Sequence, residues 1–259
     1  EANLADDLGL FAWSQDTLGH GTHIAGTIGA VGNNKTGVAG VNWKVRIIPV
    51  NVVNAQGEAD DARVVRALDY IAGLIEQGIN IAAVNISIGG YNSFTPEQAL
   101  SETYYLAYKT FNDLNKALIV VCAGNEGLEV GKPAPFTYPE RLMRLNGLSS
   151  PLFNQGDYSY PASFTGLDNM IVVAAAKPDL TSTDFSNYSS KYVDVAAPGV
   201  NIFSTVRTNA VSDSGYDEIS RPQAYDNMSG TSMAAPHVAG AAALLKSIYP
   251  NATASQIKA

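Results

Sequence analysis

The sequence predicts an α/β fold, a parallel sheet with helices on both faces. Three observations carry that prediction. Short apolar runs at residues 81–88, 117–123, 169–175 and 192–196 do not alternate with polar residues, as befits strands buried on both faces. Helical patterns separate most of them; residues 60–77 place Val64, Val65, Leu68, Ile71, Ala72 and Ile75 on one stripe. Glycines close two of the runs, at Gly89-Gly90 and at Gly124 before Asn125. Such sheets bind ligands beyond the carboxyl ends of their strands, so unusual residues there mark a candidate site.

The remaining elements follow in order. Residues 20–31 mix Gly, Ala, Ile and Val at helical spacing, and residues 32–37 are turn-rich. Residues 45–53 read as a strand, with Pro49 its weak point. Gly78 is placed to end the 60–77 helix. Thr95-Pro-Glu-Gln98 opens a helix expected to run to about residue 116, with a capping side chain, proline in the first turn and an acid beside it. Residues 126–159 form a long, polar, Pro-rich surface excursion with room for one short helix. Residues 200–228 suit a hairpin. A small-residue turn at 227–231 leads into an apolar helix through Ala241 and Leu245, and the sequence stops at Ala259 a few residues into a further helix. The whole reads as one domain, residues 1–259.

Composition narrows the function. Apolar residues make up 46% and charged residues 15%, which suits a packed globule. Net charge is -8 with no basic cluster, which argues against nucleic acid and anionic membranes as partners. No apolar run approaches the roughly 18 residues of a membrane span. Cys122 is the only cysteine, so no intrachain disulfide forms, and its setting is that of a small buried hydrophobe. No basic-then-apolar leader precedes the chain, which opens at Glu1 and stops at Ala259; the expectation is a processed protein or a piece lacking both ends of its domain.

Ser232 stands where a loop becomes a helix. The first N–H groups of a helix lack helical partners, so a serine here is either a helix cap or a nucleophile whose oxyanion meets ready donors. His20, beside glycines, is the natural base for it: an imidazole titrates in the right range, and nucleophile–base pairs work at hydrogen-bond reach. His20 and His23 are three residues apart, but a zinc site wants a third ligand and none of suitable type is close. His23 and His237 read as core histidines bonded to backbone. Asn125, at a strand end, is a turn residue or a side-chain amide donor to a developing oxyanion.

Together these stretches resemble the subtilisin-like serine proteases, or subtilases. Gly19-His-Gly-Thr-His-Ile-Ala-Gly-Thr27, Ala123-Gly-Asn-Glu-Gly127 and Ser229-Gly-Thr-Ser-Met-Ala-Ala-Pro-His-Val-Ala-Gly240 match the histidine, oxyanion and serine signatures in the family's order. Ser87-Ile-Gly-Gly90 and Val195-Ala-Ala-Pro-Gly199 match further segments, and Val31-Gly-Asn-Asn-Lys-Thr-Gly-Val-Ala-Gly40 gives a thermitase-like flavour. The resemblance implies a subtilisin-like sheet, Ser232 as nucleophile, His20 as base, and Asn125 with the Ser232 N–H as oxyanion donors. It implies a pocket walled by Ser87, Ile88, Gly89 and Gly90 and by Cys122, Ala123 and Gly124, whose backbones pair with an extended polypeptide substrate. It further implies a cis Tyr160–Pro161 bond, a structural calcium held by Gly32, Asn34, Thr36 and Val38, a propeptide, secretion and a monomer. Pro236, four residues after Ser232, has no N–H to give the Ser232 carbonyl.

One departure stands out. The family's catalytic aspartate lies in an Asp-Ser/Thr-Gly motif before the histidine. Asp6, Asp7 and Asp16 precede His20, and none has that motif. The expectation is an aspartate upstream of Glu1 and a 259-residue chain that is close to inactive alone; in subtilisin, loss of that carboxylate costs about 3 × 10⁴ in turnover. Two alternatives stand beside the protease. One is an inactive subtilase scaffold that serves as a binding module. The other is an α/β hydrolase of the esterase kind, which wants Gly-x-Ser-x-Gly with its histidine later in the chain; Gly230-Thr-Ser-Met-Ala234 breaks that pattern.

Overall fold

Four strands make one parallel sheet in the computed structural model, which describes residues 16, 19–53, 59–137, 153–207 and 224–259. In chain order the elements are α1 (His20–Gly29), α2 (Asp61–Glu76), β1 (Ala83–Ile86), β2 (Gly90–Asn92), α3 (Pro96–Ala99), α4 (Thr103–Leu114), β3 (Leu118–Cys122), β4 (Tyr158–Tyr160), β5 (Met170–Ala176), β6 (Val195–Pro198), β7 (Ile202–Thr205), β8 (Tyr225–Met228), α5 (Thr231–Ile248) and α6 (Ala254–Lys258). The sheet runs β1-β3-β5-β6. Val84 pairs with Ile119, Val121 with Val172, and Ala174 with Ala196. Two antiparallel ribbons, β2 with β4 and β7 with β8, lie outside it.

The strand period of two explains how helices come to cover both faces. Along β3 every residue is buried. Ile119 and Val121 pack with Val64, Leu68 and Ile71 of α2 and with Tyr105, Tyr108 and Phe111 of α4. Leu118, Val120 and Cys122 pack instead with Ala234, Ala235, Ala239 and Ala242 of α5. The second layer is built of alanines, so α5 lies close over the sheet. Fully burying a side chain such as Leu68 or Phe111 contributes about 1.5–3 kcal/mol. α2 starts where Asp60 accepts the Ala62 N–H at 2.9 Å, and α3 opens on a Thr95–Gln98 capping box, both as the sequence predicts.

Four expectations are corrected. Residues 45–53 form no strand: Pro49 cannot donate to a ladder, and among the described residues the pairing there is limited to a Val53–Ala59 bridge. Its first half is exposed, at Ile47 and Ile48, and its second half packs against the core through Val50 and Val52. The helix expected from residue 95 to 116 is two helices, because Glu102 adopts an extended conformation and the Ser101 hydroxyl turns back to the Gln98 carbonyl. The 192–196 strand begins later, at Val195, although the Asp194 N–H already donates to the Val172 carbonyl at 3.0 Å. The cap at the start of α5 is Gly230, and Ser232 is the second helical residue. The hairpin expected within 200–228 is β7–β8, and its connection lies outside the described residues, as do residues 138–152 of the excursion.

α6 closes the opposite edge of the sheet from the glycine-rich strand ends. The Lys258 ammonium donates to the Met170 carbonyl at 2.6 Å and pairs with Asp194 at 3.0 Å. Asn115, in a left-handed conformation just before β3, accepts from the Ser255 N–H at 3.0 Å. Among the described residues no helix is long and apolar enough to cross a membrane.

His23 pins α1 to the β7–β8 ribbon. It is fully buried, with Nε2 at 2.8 Å from the Ile202 carbonyl oxygen and, among the described residues, no hydrogen-bond partner for Nδ1. Burial holds its pKa below the ordinary 6.5, outweighing the carbonyl bond. A base depressed in the fold contributes stability above its unfolded pKa, and that stability is lost as pH falls through it. The urea midpoint is therefore expected to drop between pH 7 and pH 5, and His23→Gln, which keeps a donor for Ile202, to make the drop shallower. Parallel slopes for the two proteins would refute this.

Candidate active site

Ser232 is brought to the carboxyl end of β1 by a reciprocal pair of hydrogen bonds. Pro236 leaves the Ser232 carbonyl without its usual helical donor, and the Ser87 hydroxyl fills the place at 2.9 Å. The Ser232 hydroxyl in turn donates to the Ser87 carbonyl at 3.1 Å. The serine is buried, 9% exposed, above Cys122. Burial pushes the Cys122 thiol up to about 11, so it stays a protonated, unreactive part of the core.

Asn125 sits across from this pair. Its Oδ1 accepts from the Thr231 N–H at 2.8 Å and from the Thr231 hydroxyl at 2.9 Å. The same hydroxyl accepts from the Gly124 N–H at 3.1 Å. An amide whose oxygen is held by two donors must direct its NH2 elsewhere. Thr231 thus fixes which end of Asn125 is on offer beside Ser232, next to the N–H groups at the start of α5, where the helix dipole favours negative charge.

His20 is the first residue of α1 and is half-buried. Gly19 before it has φ 76°, a left-handed turn for which glycine is suited. The Asp16 carboxylate accepts from the Gly19 N–H at 2.9 Å, the Thr22 N–H at 2.7 Å and the Thr22 hydroxyl at 2.6 Å, which caps the helix that carries His20. α1 packs against α5, but the Ser232 hydroxyl is turned to Ser87 and not to His20. His237 bonds through Nδ1 to the Met233 carbonyl at 2.9 Å, the backbone-bonded core histidine that the sequence suggests.

The structure brings Ser87, Cys122, Ala123, Gly124, Asn125 and Ser232 together around the ends of β1 and β3. Ile88, Gly89 and Gly90 continue from β1 into β2, whose partner β4 carries the cis Tyr160–Pro161 bond. A Cβ on Gly89 would lie 2.8 Å from the Tyr160 carbonyl oxygen, so packing requires that glycine; one on Gly90 would meet open space.

Glu126 is the unexpected residue. It is 1% exposed, and its Oε2 accepts from Tyr91, the Asn125 N–H and Asn187, each at 2.9 Å. Burial pushes its pKa above the ordinary 4.5, against those three bonds. Sequence reasoning also missed Thr231, although a threonine beside a candidate nucleophile is itself a signal, and Asn187, for which there was none.

The 32–38 loop is exposed and tightly turned, with Asn33, Lys35 and Gly37 all in left-handed conformations. Asn34 Oδ1 accepts from the Thr36 N–H at 3.0 Å; an amide oxygen has two lone pairs, so that bond does not exclude a cation. Gly32, Asn34, Thr36 and Val38 offer four neutral oxygens toward the six to eight that calcium takes. No group of three or more His, Cys, Asp or Glu able to hold a metal lies among the described residues.

A hydroxyl at a helix start, an amide clamped beside it and strand ends beneath both thus meet at the carboxyl ends of the parallel strands. A profile of the Subtilase family matches residues 7–259. The chain is 31% identical over 248 residues to Subtilisin DY of Bacillus licheniformis, covering 95% of this chain and 70% of that protein. It is 33% identical over 245 residues to Thermitase of Thermoactinomyces vulgaris, covering 95% and 66%. The crystal structure of a cold adapted subtilisin-like serine proteinase matches with a TM-score of 0.65 at 26% identity, over 95% of this chain and 67% of that one. The chain belongs to the subtilase family of serine endopeptidases.

The Glu126 carboxyl carries a pH signature. A carboxyl raised in the fold stabilises most when protonated, and the fold loses stability as pH climbs from 4.5 through the raised value. Glu126→Gln keeps an acceptor oxygen and cannot ionise. Its urea midpoint is expected to exceed that of the parent at pH 8 and to match or fall below it at pH 4; an advantage of equal size at both pH values would refute this.

Proposed function

We propose that this chain is the core of a single protease domain, residues 1–259, that hydrolyses peptide bonds through an acyl-enzyme on Ser232. The observation that carries the reading is the Asn125 amide, oriented by Thr231 beside the start of α5. In the reaction, the Ser232 hydroxyl leaves the Ser87 carbonyl, gives its proton to His20 and attacks the scissile carbonyl carbon. The oxyanion that forms accepts from Asn125 Nδ2 and the Ser232 N–H. The imidazolium returns the proton to the departing amine, and water then releases the acyl group by the same route. The substrate lies extended against residues 87–90 and 122–124, its backbone pairing with theirs.

A secreted monomer made with a propeptide fits this reading; one relative, 34% identical over 87% of this chain and 31% of its own length, is named an extracellular basic protease, from Dichelobacter nodosus. No Asp-Ser/Thr-Gly motif precedes His20 in this sequence, so turnover far below that of an intact subtilase is expected; with peptide and lipid esters offered together, that slow hydrolysis is expected for the peptide ester alone and to vanish in Ser232→Ala. Asn125→Ala is expected to lower turnover by about 10²–10³, the cost of losing one such donor in subtilisin itself. Equal hydrolysis by the Ser232→Ala protein would overturn the assignment.

Calcium enters the proposal as a structural ion that Gly32, Asn34, Thr36 and Val38 help to hold, with further oxygens from outside this loop. Calcium is expected to raise the melting temperature of the chain, and Asn34→Ala to lessen the rise. A calcium response unchanged by that substitution would place the ion elsewhere.

A further inference from the structure

The loop that carries Asn125 is shaped around another side chain. Asn187, in the connection between β5 and β6, is fully buried. Its Oδ1 accepts from the Glu126 N–H at 3.1 Å and the Leu128 N–H at 2.8 Å. Its Nδ2 donates to the Ala123 carbonyl at 3.0 Å and to Glu126 Oε2 at 2.9 Å, with the Tyr91 hydroxyl at 3.3 Å. Its own N–H donates to the Gly124 carbonyl at 2.9 Å. The contacts bracket Asn125 on both sides without touching its side chain. Glu126 Oε2, which accepts the Asn125 N–H, is held by Asn187 in its turn. Gly124, at φ 105°, has Asn187 so near that a Cβ would lie 2.3 Å from Nδ2. The loop wraps the amide with no room to spare.

We infer that Asn187 is a positioning residue for the oxyanion site: it is the template on which residues 123–128 fold, and it aims Asn125 through Glu126. This rests on the protease reading for its consequence in catalysis, and on geometry alone for its hold on the loop. The amide is suited to the task because it accepts on one side and donates on the other. A carboxylate would keep the bonds to the Glu126 and Leu128 N–H groups, but it would face the Ala123 carbonyl and Glu126 with no proton to give.

Asn187→Asp therefore separates placement from mere packing, since the new side chain has the same shape. Relative to the parent chain at pH 8, amide exchange at residues 124–128 is expected to rise by roughly tenfold, the scale of one hydrogen bond, with β3 and β5 unchanged. Ser232-dependent turnover of a peptide p-nitrophenyl ester is expected to fall by a similar factor with KM within twofold. The ratio of variant to parent turnover is expected to recover as pH falls, because the carboxyl that Asn187→Asp introduces can, once protonated, donate where Nδ2 did. Asn169→Asp, at another buried asparagine that bonds the Ala117 carbonyl far from this loop, serves as the control and should leave both readouts as in the parent. Unchanged exchange at 124–128, a ratio flat with pH, or the same losses in the Asn169→Asp variant would overturn the inference. Absence of Ser232-dependent hydrolysis in the parent would sink the protease reading instead, and the exchange comparison would still decide whether Asn187 holds the loop.

Discussion

The close seat of α5 on the sheet is the constraint on which the rest depends. Ala234, Ala235, Ala239 and Ala242 meet Leu118, Val120 and Cys122 of β3, and only small side chains let a helix axis lie that near a strand. Because the contact is fixed along the length of α5, its first turn is fixed as well. Thr231 then falls within reach of Asn125, and Ser232 within reach of Ser87. Pro236 belongs to the same arrangement, for it frees the carbonyl that Ser87 captures. Packing, backbone chemistry and the candidate site are one continuous structure.

The site also sets buried polar groups where the core would otherwise be apolar. Glu126, Asn187 and Tyr91 form a closed hydrogen-bonded group under the Asn125 loop. Such groups are costly unless satisfied, and here the carboxyl accepts three donors on one oxygen. His23 is the counterexample, with one ring nitrogen bonded and the other without a partner among the described residues. The two kinds of buried group respond to pH in opposite senses: the carboxyl favours acid, the imidazole favours base.

Much of this was legible in the residues. Strands buried on both faces announce themselves by unbroken apolar runs, and β1, β3 and β5 came through nearly in place. The Ser232, Asn125 and His20 motifs were readable because glycine, histidine and serine stand out against such runs. Residues 45–53 misled because composition cannot say whether a partner strand lies alongside, and Pro49 was the warning. The break between α3 and α4 turns on Glu102 and the Ser101 hydroxyl, a local competition that periodicity does not register. Asn187 was invisible for a deeper reason: its partners lie about sixty residues away, at Ala123, Glu126 and Leu128, and nothing in its neighbours marks it.

The clamp of α6 on the sheet has a practical side. Lys258 and Ser255 grip Met170, Asp194 and Asn115, which lie at the strand-start edge, whereas Asn125 and Ser87 lie where strands finish. A surface tether attached through α6 would therefore hold the molecule by its back, with the strand ends that carry Asn125 and Ser87 facing outward.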